Sequence, residues 1–584
     1  MRYLGIDLGT TNCGFAFADA QGAVQVLSIP QLVSPGEVRA EPLLPSALYL
    51  AQEGEFGEGL LDLPWRAGAA RAVGAFAARR GAETPGRLVT SAKSWLCYTG
   101  GGRSEPILPV NAPEGAPKVS PVEASREYLA HLRAAWDYLH PGFPFAEQRI
   151  VLTVPASFDA VARELTEQAA RQAGFGEPVL LEEPQAAFYA WLERHEDWRE
   201  RVGEGSLVLV IDIGGGTTDL TLITVASRDG ALAIERAAVG EHLLLGGDNM
   251  DLALAHSLAQ ELAAAGRKLS PMQMQALWQQ CRLAKERLLS NPEASEEPVI
   301  ILGSGSSLVG GAIKAALRRE QVERLLVDGF FPVTRSDEMP ARRGRAGLVE
   351  VGLPYETDAA ITRHLARFLR RGDGALARPT HVLFNGGVFH AAHLRERVME
   401  VLNGWLREEG APPAQALAGE DLMHAVARGA AAYARARELG GIRIRGGIPR
   451  TYYVGVETAM PAVPGMPPPL KALAVAPFGM EEGTETEVPA GEFGLVVGEP
   501  AEFRFFASLE RKQDAPGAVL DDASGLEELA PVSVCLPAAD GAGAVVRVRL
   551  ETRVTETGVL ELWCVARDGR RWKLEFQVRE RLKS

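Results

Sequence analysis

The chain has 584 residues, of which 46% are hydrophobic and 23% charged, and its formal net charge is −14. This length predicts two or more domains, and the acidic balance argues against a nucleic-acid partner, which needs a basic surface. No apolar run is long enough to predict a membrane span. Five scattered cysteines and a first strand that leaves no room for a leader peptide favour a cytoplasmic protein without structural zinc or disulfides.

The first predicted element is a buried strand that ends in a glycine-rich turn. The apolar pair Tyr3-Leu4 leads into Gly5-Ile6-Asp7-Leu8-Gly9-Thr10-Thr11, and an extended run over residues 14–18 follows. Glycine lets a backbone approach a phosphate closely, and turn amides and hydroxyls can then surround the phosphate oxygens. The Asp7 carboxylate stands where hydrated Mg²⁺ can bridge to a nucleotide.

The same pattern returns later in the chain. The apolar run Leu207-Val208-Leu209 leads into Val210-Ile211-Asp212-Ile213-Gly214-Gly215-Gly216-Thr217-Thr218-Asp219. One such loop would be weak evidence, but two similar loops indicate a nucleotide held between paired lobes. A strand-end Asp can also simply cap a turn, and the identical placement of Asp7 and Asp212 disfavours that alternative.

Six further segments stand in a fixed order around these loops. They are Val154-Pro155-Ala156-Ser157-Phe158 with Arg163, Leu181-Glu182-Glu183-Pro184-Gln185-Ala186-Ala187, Leu245-Gly246-Gly247-Asp248-Asn249-Met250-Asp251, Cys281-Arg282-Leu283-Ala284-Lys285-Glu286-Arg287-Leu288, Asn385-Gly386-Gly387-Val388-Phe389 and Ala425-Val426-Ala427-Arg428-Gly429-Ala430-Ala431. The ordered set resembles the motifs of the seventy-kilodalton heat-shock chaperone family, a branch of the actin-like ATPase superfamily. The resemblance covers residues 1–438.

The resemblance implies an α/β fold class. A two-lobed actin-like (ribonuclease H-like) ATPase domain is expected over residues 1–438, with lobe I at about 1–195 and lobe II at about 204–438, followed by a linker over 439–450. Alternating runs such as Thr451-Tyr452-Tyr453-Val454-Gly455-Val456 then predict a β-sandwich domain over 451–584. That domain resembles, more loosely, the family's peptide-binding β domain, an unrelated β domain being the alternative. The family's helical lid is expected to be absent, and residues 336–355 look like an insertion of unassigned role.

The resemblance also implies a set of residues that bind ATP or ADP with Mg²⁺. The phosphates would be held by Gly9, Thr10, Thr11, Asn12, Gly214, Gly215, Gly216 and Thr217, and the adenosine side by Gly247, Lys285, Gly386 and Gly387. The metal would be held by Asp7 and Asp212, and the attacking water would be surrounded by Glu183, Asp212, Thr217 and Asp219. Alternatively, Glu183 is an acidic residue at a helix N-terminus that only stabilises the helix dipole. Lys285 could likewise be a surface side chain without a role in binding.

Two implied features concern single residues. The family's phosphate-contacting lysine is expected near residues 78–80, where the chain has Ala78-Arg79-Arg80. Arg79 is therefore the candidate replacement, although its guanidinium differs in shape from a lysine ammonium. The alternative is that Arg79 is only a surface residue at the end of a helix. Pro155 and Arg163 match the family's relay between nucleotide state and the β domain.

The favoured function is that of an ATP-dependent chaperone-like protein. ATP binding and slow hydrolysis would control how the C-terminal β domain binds unfolded or extended client polypeptides, with possible co-chaperones as further partners. The alternative is a nucleotide-regulated scaffold with one dedicated protein partner and negligible ATPase activity. A small-molecule kinase on the same fold is a third hypothesis, disfavoured by the β-rich tail.

Overall fold

The computed structural model of the chain divides into two compact units, Met1–Arg443 and Ile444–Lys583. The structure describes residues 1–98, 103–110, 112–228, 231–241, 243–291, 293–301, 312–341, 353, 355–370, 375–418, 421–440, 444–445, 448, 450–458, 470–481, 483–508, 511, 513–523, 525–529, 531–537, 543–555 and 559–577. Much of the predicted insertion (336–355) and of the predicted linker (439–450) lies outside these residues. Both assignments stay predictions.

Lobe I contains a mixed sheet, two small sheets and the helices that cover them. Its strands are β1 (Tyr3–Asp7), β2 (Asn12–Ala18), β3 (Gln25–Val26), β4 (Ile29–Ser34), β5 (Glu37–Glu41), β6 (Leu44–Pro45), β7 (Leu48–Leu50), β8 (Arg71–Val73), β9 (Leu88–Val89), β10 (Arg149–Val154) and β11 (Val179–Glu182). Its helices are α1 (Ala75–Glu83), α2 (Ala92–Trp95), α3 (Pro121–Leu139), α4 (Ala160–Gln172) and α5 (Glu183–Arg194), and the short α6 (Trp198–Arg201) follows.

Lobe II repeats this plan around a second mixed sheet. Its strands are β12 (Leu207–Ile213), β13 (Thr218–Arg228), β14 (Ala231–Val239), β15 (Glu296–Ile301), β16 (Ile313–Arg318), β17 (His381–Asn385) and β18 (Gln415–Leu417). Its helices are α7 (Gly247–Ala264), α8 (Pro271–Ser290), α9 (Arg319–Phe330), α10 (Ile361–Leu369) and α11 (Ala392–Glu408). Helix α12 (Ala425–Leu439) follows in the chain and packs against β1 and α5 of lobe I.

The two central sheets have the same local topology. In lobe I, β1 pairs antiparallel with β2 and parallel with β10, and in lobe II, β12 pairs antiparallel with β13 and parallel with β17. Asp7 lies opposite Gly14 and Asp212 opposite Asp219, at the turn end of each hairpin. The repeated sequence pattern is therefore a repeated strand–turn–strand unit, and the predicted mixed α/β class is confirmed.

Local sequence explains where the long helices begin. Ser120 accepts a hydrogen bond from the Glu123 amide at 3.0 Å at the start of α3, and Pro121 follows as the first helical residue. Ser270 and Gln273 form a capping box at the start of α8. A side-chain cap satisfies an amide that the helix itself cannot, and proline at the first position loses no helical hydrogen bond.

Helix α12 packs closely against the start of the chain and against α5. A Cβ atom built on Gly429 of α12 would lie 1.6 Å from the backbone oxygen of Ala186 in α5. Only glycine allows the two helices to approach to this distance. Since α5 begins at Glu183, this contact fixes the helix that carries one of the predicted site residues.

The second unit consists of strands in its described residues. They are β19 (Ile444–Arg445), β20 (Thr451–Glu457), β21 (Leu470–Ala476), β22 (Thr484–Val497), β23 (Pro500–Phe503), β24 (Phe505–Ser508), β25 (Val519–Leu520), β26 (Glu527–Glu528), β27 (Val532–Cys535), β28 (Ala544–Val554), β29 (Val559–Ala566) and β30 (Arg571–Gln577). One sheet has the order β25-β21-β20-β24-β26, another has the order β22-β28-β29-β30, and β23 pairs with β27. Val454 and Leu473 of one sheet share a core with Leu550 and Leu562 of the other. The β-sandwich assignment stays a prediction.

Across the described parts of both units, no helix combines the length and the apolar character that crossing a bilayer requires.

Candidate functional site

A cleft of about 350 Å³ in the first unit brings together most of the predicted site residues. The predicted residues that line it are Asp7, Gly9, Thr10, Thr11, Asn12, Glu183, Asp212, Gly214, Gly215, Thr217, Gly247, Lys285, Gly386 and Gly387. They come from segments that are far apart in the chain and from both lobes. Gly216, Asp219, Pro155, Arg163 and Arg79 do not line this cleft.

The two glycine-rich loops touch each other across the lobes. A Cβ atom on Gly215 would lie 1.8 Å from the Thr11 hydroxyl oxygen. A Cβ atom on Gly216 would lie 2.6 Å from the Ser94 hydroxyl oxygen. The amide of Asp248 donates to the Gly215 oxygen at 2.7 Å, which ties the second loop to the start of α7. Glycine is required here because any side chain would push the loops apart.

Buried carboxylates collect at the strand ends beside these loops. Thr153 donates to Asp7 at 3.2 Å, and the Asn385 amide donates to Asp212 at 2.8 Å. Burial raises the pKa of Asp212 to about 7, against the opposing effect of the Asn385 hydrogen bond. Burial also raises the pKa of Asp7, which Lys93 and Thr153 act to lower. Removal of several carboxylates from water favours their neutral forms unless a cation joins them.

Lys93 is a cation within this carboxylate group. Its side chain is 5% exposed, and its ammonium is in direct contact with the Glu183 carboxylate. Burial acts to lower the pKa of Lys93, but Glu183 and Asp7 outweigh burial and raise it above its usual value. Burial raises the pKa of Glu183 to about 8, even though Lys93 acts to lower it. Lys93 therefore remains protonated beside a carboxyl group of unusual basicity.

Arg79, the candidate replacement for the phosphate-contacting lysine expected near residues 78–80, does not line the cleft, whereas Lys93 does. Arg79 is exposed on α1, whereas Lys93 lies on the separate turn of helix α2. The sequence does carry a signal for Lys93. It is the first lysine of the chain, where every preceding cation is an arginine, and it stands in the small and apolar run Ser91-Ala92-Lys93-Ser94-Trp95.

Hydrogen bonds from two serines of lobe I reach lobe II next to the cleft. Ser157 of lobe I donates to Asp219 of lobe II at 2.6 Å. Ser91 of lobe I donates to Asp248 of lobe II at 3.0 Å. Asp219 is therefore held behind the cleft by a partner from the opposite lobe. The hydroxyl donors and Asp248 were not identified as site residues from the sequence, because their pairing depends on how the lobes meet.

The other end of the cleft is lined by α8 and by the loop after β17. Lys285 forms an ion pair with Asp251 at 2.7 Å, and burial raises the pKa of Asp251 to about 6, against the effect of Lys285. Arg282 and Glu286 also line the cleft and pair with each other at 3.4 Å. Lys285 is therefore a buried cleft residue and not a surface lysine.

The two predicted relay residues lie in lobe I, behind the cleft. Pro155 follows the end of β10 and is buried. Arg163 of α4 is 4% exposed, donates to the Ala156 oxygen at 3.1 Å and lies 3.5 Å from the Glu182 carboxylate. These contacts place Arg163 beside the strand end that precedes Glu183. The relay itself stays a prediction.

Comparison with known proteins gives an independent view of the chain. A family model described as "Hsp70 protein" matches residues 110–336. A chaperone protein HscA homolog of Burkholderia cenocepacia (strain HI2424) is 33% identical over 320 residues, which cover 52% of this chain and 44% of the relative. The HscA homolog of Burkholderia mallei (strain SAVP1) is 32% identical over 378 residues, which cover 58% of this chain and 53% of the relative.

The chain thus spans about half the length of the curated relatives it matches. The matched family segment includes the second glycine-rich loop, Glu183 and Lys285. Together with the paired loops and the cleft between them, these matches show that the chain is similar to the Hsp70 family over this part of its length.

Proposed function

We propose that this chain binds ATP and ADP with Mg²⁺ and hydrolyses ATP to control a chaperone-type activity. The observation that carries the proposal is the contact between Lys93 and Glu183 in a cleft walled by two glycine-rich loops. Phosphoryl transfer needs positioning and charge neutralisation more than covalent chemistry. Positioning would come from the loop amides and the basic carboxylate of Glu183. Charge neutralisation would come from the buried cation of Lys93.

The residues of the cleft have separable roles in this proposal. Thr10, Thr11, Asn12 and Thr217 would hold the β- and γ-phosphates, with Lys93 as their side-chain cation. Asp7 and Asp212 would hold hydrated Mg²⁺, which neutralises phosphate charge when bound. No three His, Cys, Asp or Glu side chains of the described residues are grouped to enclose a bare ion. Mg²⁺ usually keeps several of its waters and then needs only one or two carboxylates.

Glu183 would orient the attacking water and accept its proton. A general base works best when its pKa lies near the working pH, and burial raises the pKa of Glu183 to about 8. Asp219 would act from behind the cleft, where it accepts the Ser157 hydrogen bond.

The C-terminal unit would bind extended or unfolded polypeptide, and co-chaperones are possible further partners. The support is the similarity of the first unit to the Hsp70 family and the strand composition of the described residues in the C-terminal unit. The alternative of a nucleotide-regulated scaffold without ATPase activity loses one of its arguments, since Lys93 supplies the cation that the sequence pattern had suggested was missing. A cytoplasmic location remains the expectation from composition.

Mg²⁺-dependent single-turnover ATP hydrolysis tests the proposal. We expect ATP to be bound and converted to ADP by the unmodified chain, and Glu183→Gln to bind ATP but lose turnover. Glu177→Gln is a matched control, because Glu177 is exposed before β11. ATP binding without turnover in the unmodified chain would favour the scaffold alternative, and no binding would contradict both.

A further inference from the structure

Glu182, the residue before Glu183, is completely buried between two arginines. Its exposed fraction is 0%, and its two carboxylate oxygens face different partners. Oε1 lies 3.5 Å from Nη2 of Arg163, and Oε2 lies 3.2 Å from Nη1 of Arg236. The two arginine side chains are 5% and 8% exposed. The three residues thus form a buried ionic triad.

The arginines of this triad belong to different lobes. Arg163 lies on α4 of lobe I, and Arg236 lies on β14 of lobe II. A buried carboxylate with two cationic partners is costly to desolvate and is strongly destabilised when one partner is removed. The position of β14 is therefore coupled electrostatically to the end of β11.

Glu182 also determines how the chain enters α5. It is the last residue of β11 and the residue that precedes the first turn of α5, and the Gln185 side chain donates to its Oε2 at 3.4 Å. Glu183 is the first residue of that helix. The contacts of the Glu182 side chain therefore act on the backbone segment that carries the Glu183 carboxylate.

We infer that Glu182 is a positioning residue through which Arg236 of lobe II sets the position of Glu183. The inference rests on the proposed ATPase function and adds a regulatory coupling to it. When the lobes close on a nucleotide, Arg236 and Arg163 hold Glu182 from both sides, and Glu183 is held against Lys93. When β14 moves away, Glu182 loses one cation and Glu183 loses its fixed position.

Single-turnover hydrolysis and nucleotide affinity measured on the full chain test this inference. We expect Glu182→Gln and Arg236→Gln to slow hydrolysis at least tenfold while the affinity for Mg²⁺-ATP changes less than threefold. The double variant should be no slower than the slower single variant, since both changes break one coupling. Arg236→Lys keeps the charge and should retain a rate within about threefold of the unmodified chain, which a purely steric role would not predict.

Asp197→Asn is the matched control, because Asp197 forms an exposed ion pair with Arg201 of α6 at 2.9 Å. Its hydrolysis rate should be unchanged. Rates for Glu182→Gln and Arg236→Gln within twofold of the unmodified chain would overturn the inference, as would rate losses that multiply in the double variant. If Glu182→Gln fails to fold, the hydrolysis rates of Arg236→Lys and Arg236→Gln test the inference by themselves. Equal rates for these two variants would then contradict it.

Amide hydrogen exchange over residues 179–185 separates this inference from the proposed function. ATP binding should increase protection there in the unmodified chain and not in Arg236→Gln. Equal protection in both would contradict the inference even if hydrolysis were observed. An unmodified chain without any ATP turnover would contradict the proposed function and the inference with it.

Discussion

Ser91 of lobe I and Asp248 of lobe II are joined by a hydrogen bond of 3.0 Å. Ser91 has a φ of 55°, and it is the one residue other than glycine with positive φ in the described part of the chain. It also directly precedes α2, the turn of helix that carries Lys93. This contact between the lobes therefore also fixes the start of the segment that presents Lys93 to Glu183.

Removal of the Ser91 hydroxyl should speed nucleotide release. A hydrogen bond to a charged group contributes about 1.5–3 kcal/mol when buried, and about 1 kcal/mol is expected for the half-buried Ser91. Ser91→Ala should therefore release a fluorescent ADP analogue about fivefold faster in stopped-flow measurements. Ser34→Ala, which removes an exposed hydroxyl bonded to Glu37 within lobe I, should leave the release rate unchanged. Equal release rates for Ser91→Ala and the unmodified chain would show that this contact does not limit opening.

Removal of the Lys93 charge should abolish most hydrolysis. Lys93→Met leaves the buried Glu183 carboxylate without its cation, and the loss of one preorganised charged group typically costs about 10²–10³ in rate. Lys93→Arg keeps the charge but must fit a larger side chain at a site that is 5% exposed, so an intermediate rate is expected. Arg79→Ala should hydrolyse ATP normally in the same single-turnover assay. A normal rate for Lys93→Met, or a loss in Arg79→Ala, would contradict the assignment of the cation.

Local patterns in the sequence are sufficient to predict the two glycine-rich loops and the strands after residue 450. The repeated strand-end Asp with its glycine turn and the alternating runs are local signals, and they correspond to observed elements. The ordered motif set points to a lysine near α1 and therefore not to Lys93 of α2. The pairs Ser91–Asp248 and Glu182–Arg236 join residues of different lobes, and a single sequence contains no pattern that links them.

A buried histidine should make lobe I less stable in mild acid. His131 is 6% exposed, contacts the Pro30 oxygen at 2.9 Å, and has its pKa lowered by burial to about 4. The unfolded chain takes up a proton near pH 6.5, whereas the folded chain does so only near pH 4. Stability is therefore lost as the pH falls through this window, by about 2 kcal/mol between pH 7 and pH 5.

Urea denaturation followed by tryptophan fluorescence can measure this loss. His131→Gln removes the titrating group, so the variant should lose about 2 kcal/mol less of its unfolding free energy than the unmodified chain between pH 7 and pH 5. His256→Gln, which changes an exposed histidine on α7, should keep the full pH dependence. The same pH dependence in His131→Gln as in the unmodified chain would show that other groups cause it.

A methyl group at Gly429 should damage the site from a distance. Its Cβ atom would lie 1.6 Å from the Ala186 oxygen and 2.9 Å from the Ala190 amide nitrogen, so α5 must move. Overpacking of this kind costs about 1–3 kcal/mol or more, and the shift reaches Glu183 at the start of α5. Gly429→Ala should therefore lower both the melting temperature and the single-turnover rate.

Gly404→Ala is the control, because no atom outside its own helix lies within 4 Å of the added Cβ. This variant should stabilise α11 by about 0.5–1 kcal/mol and hydrolyse ATP normally. A normal hydrolysis rate in Gly429→Ala would show that Glu183 tolerates movement of α5.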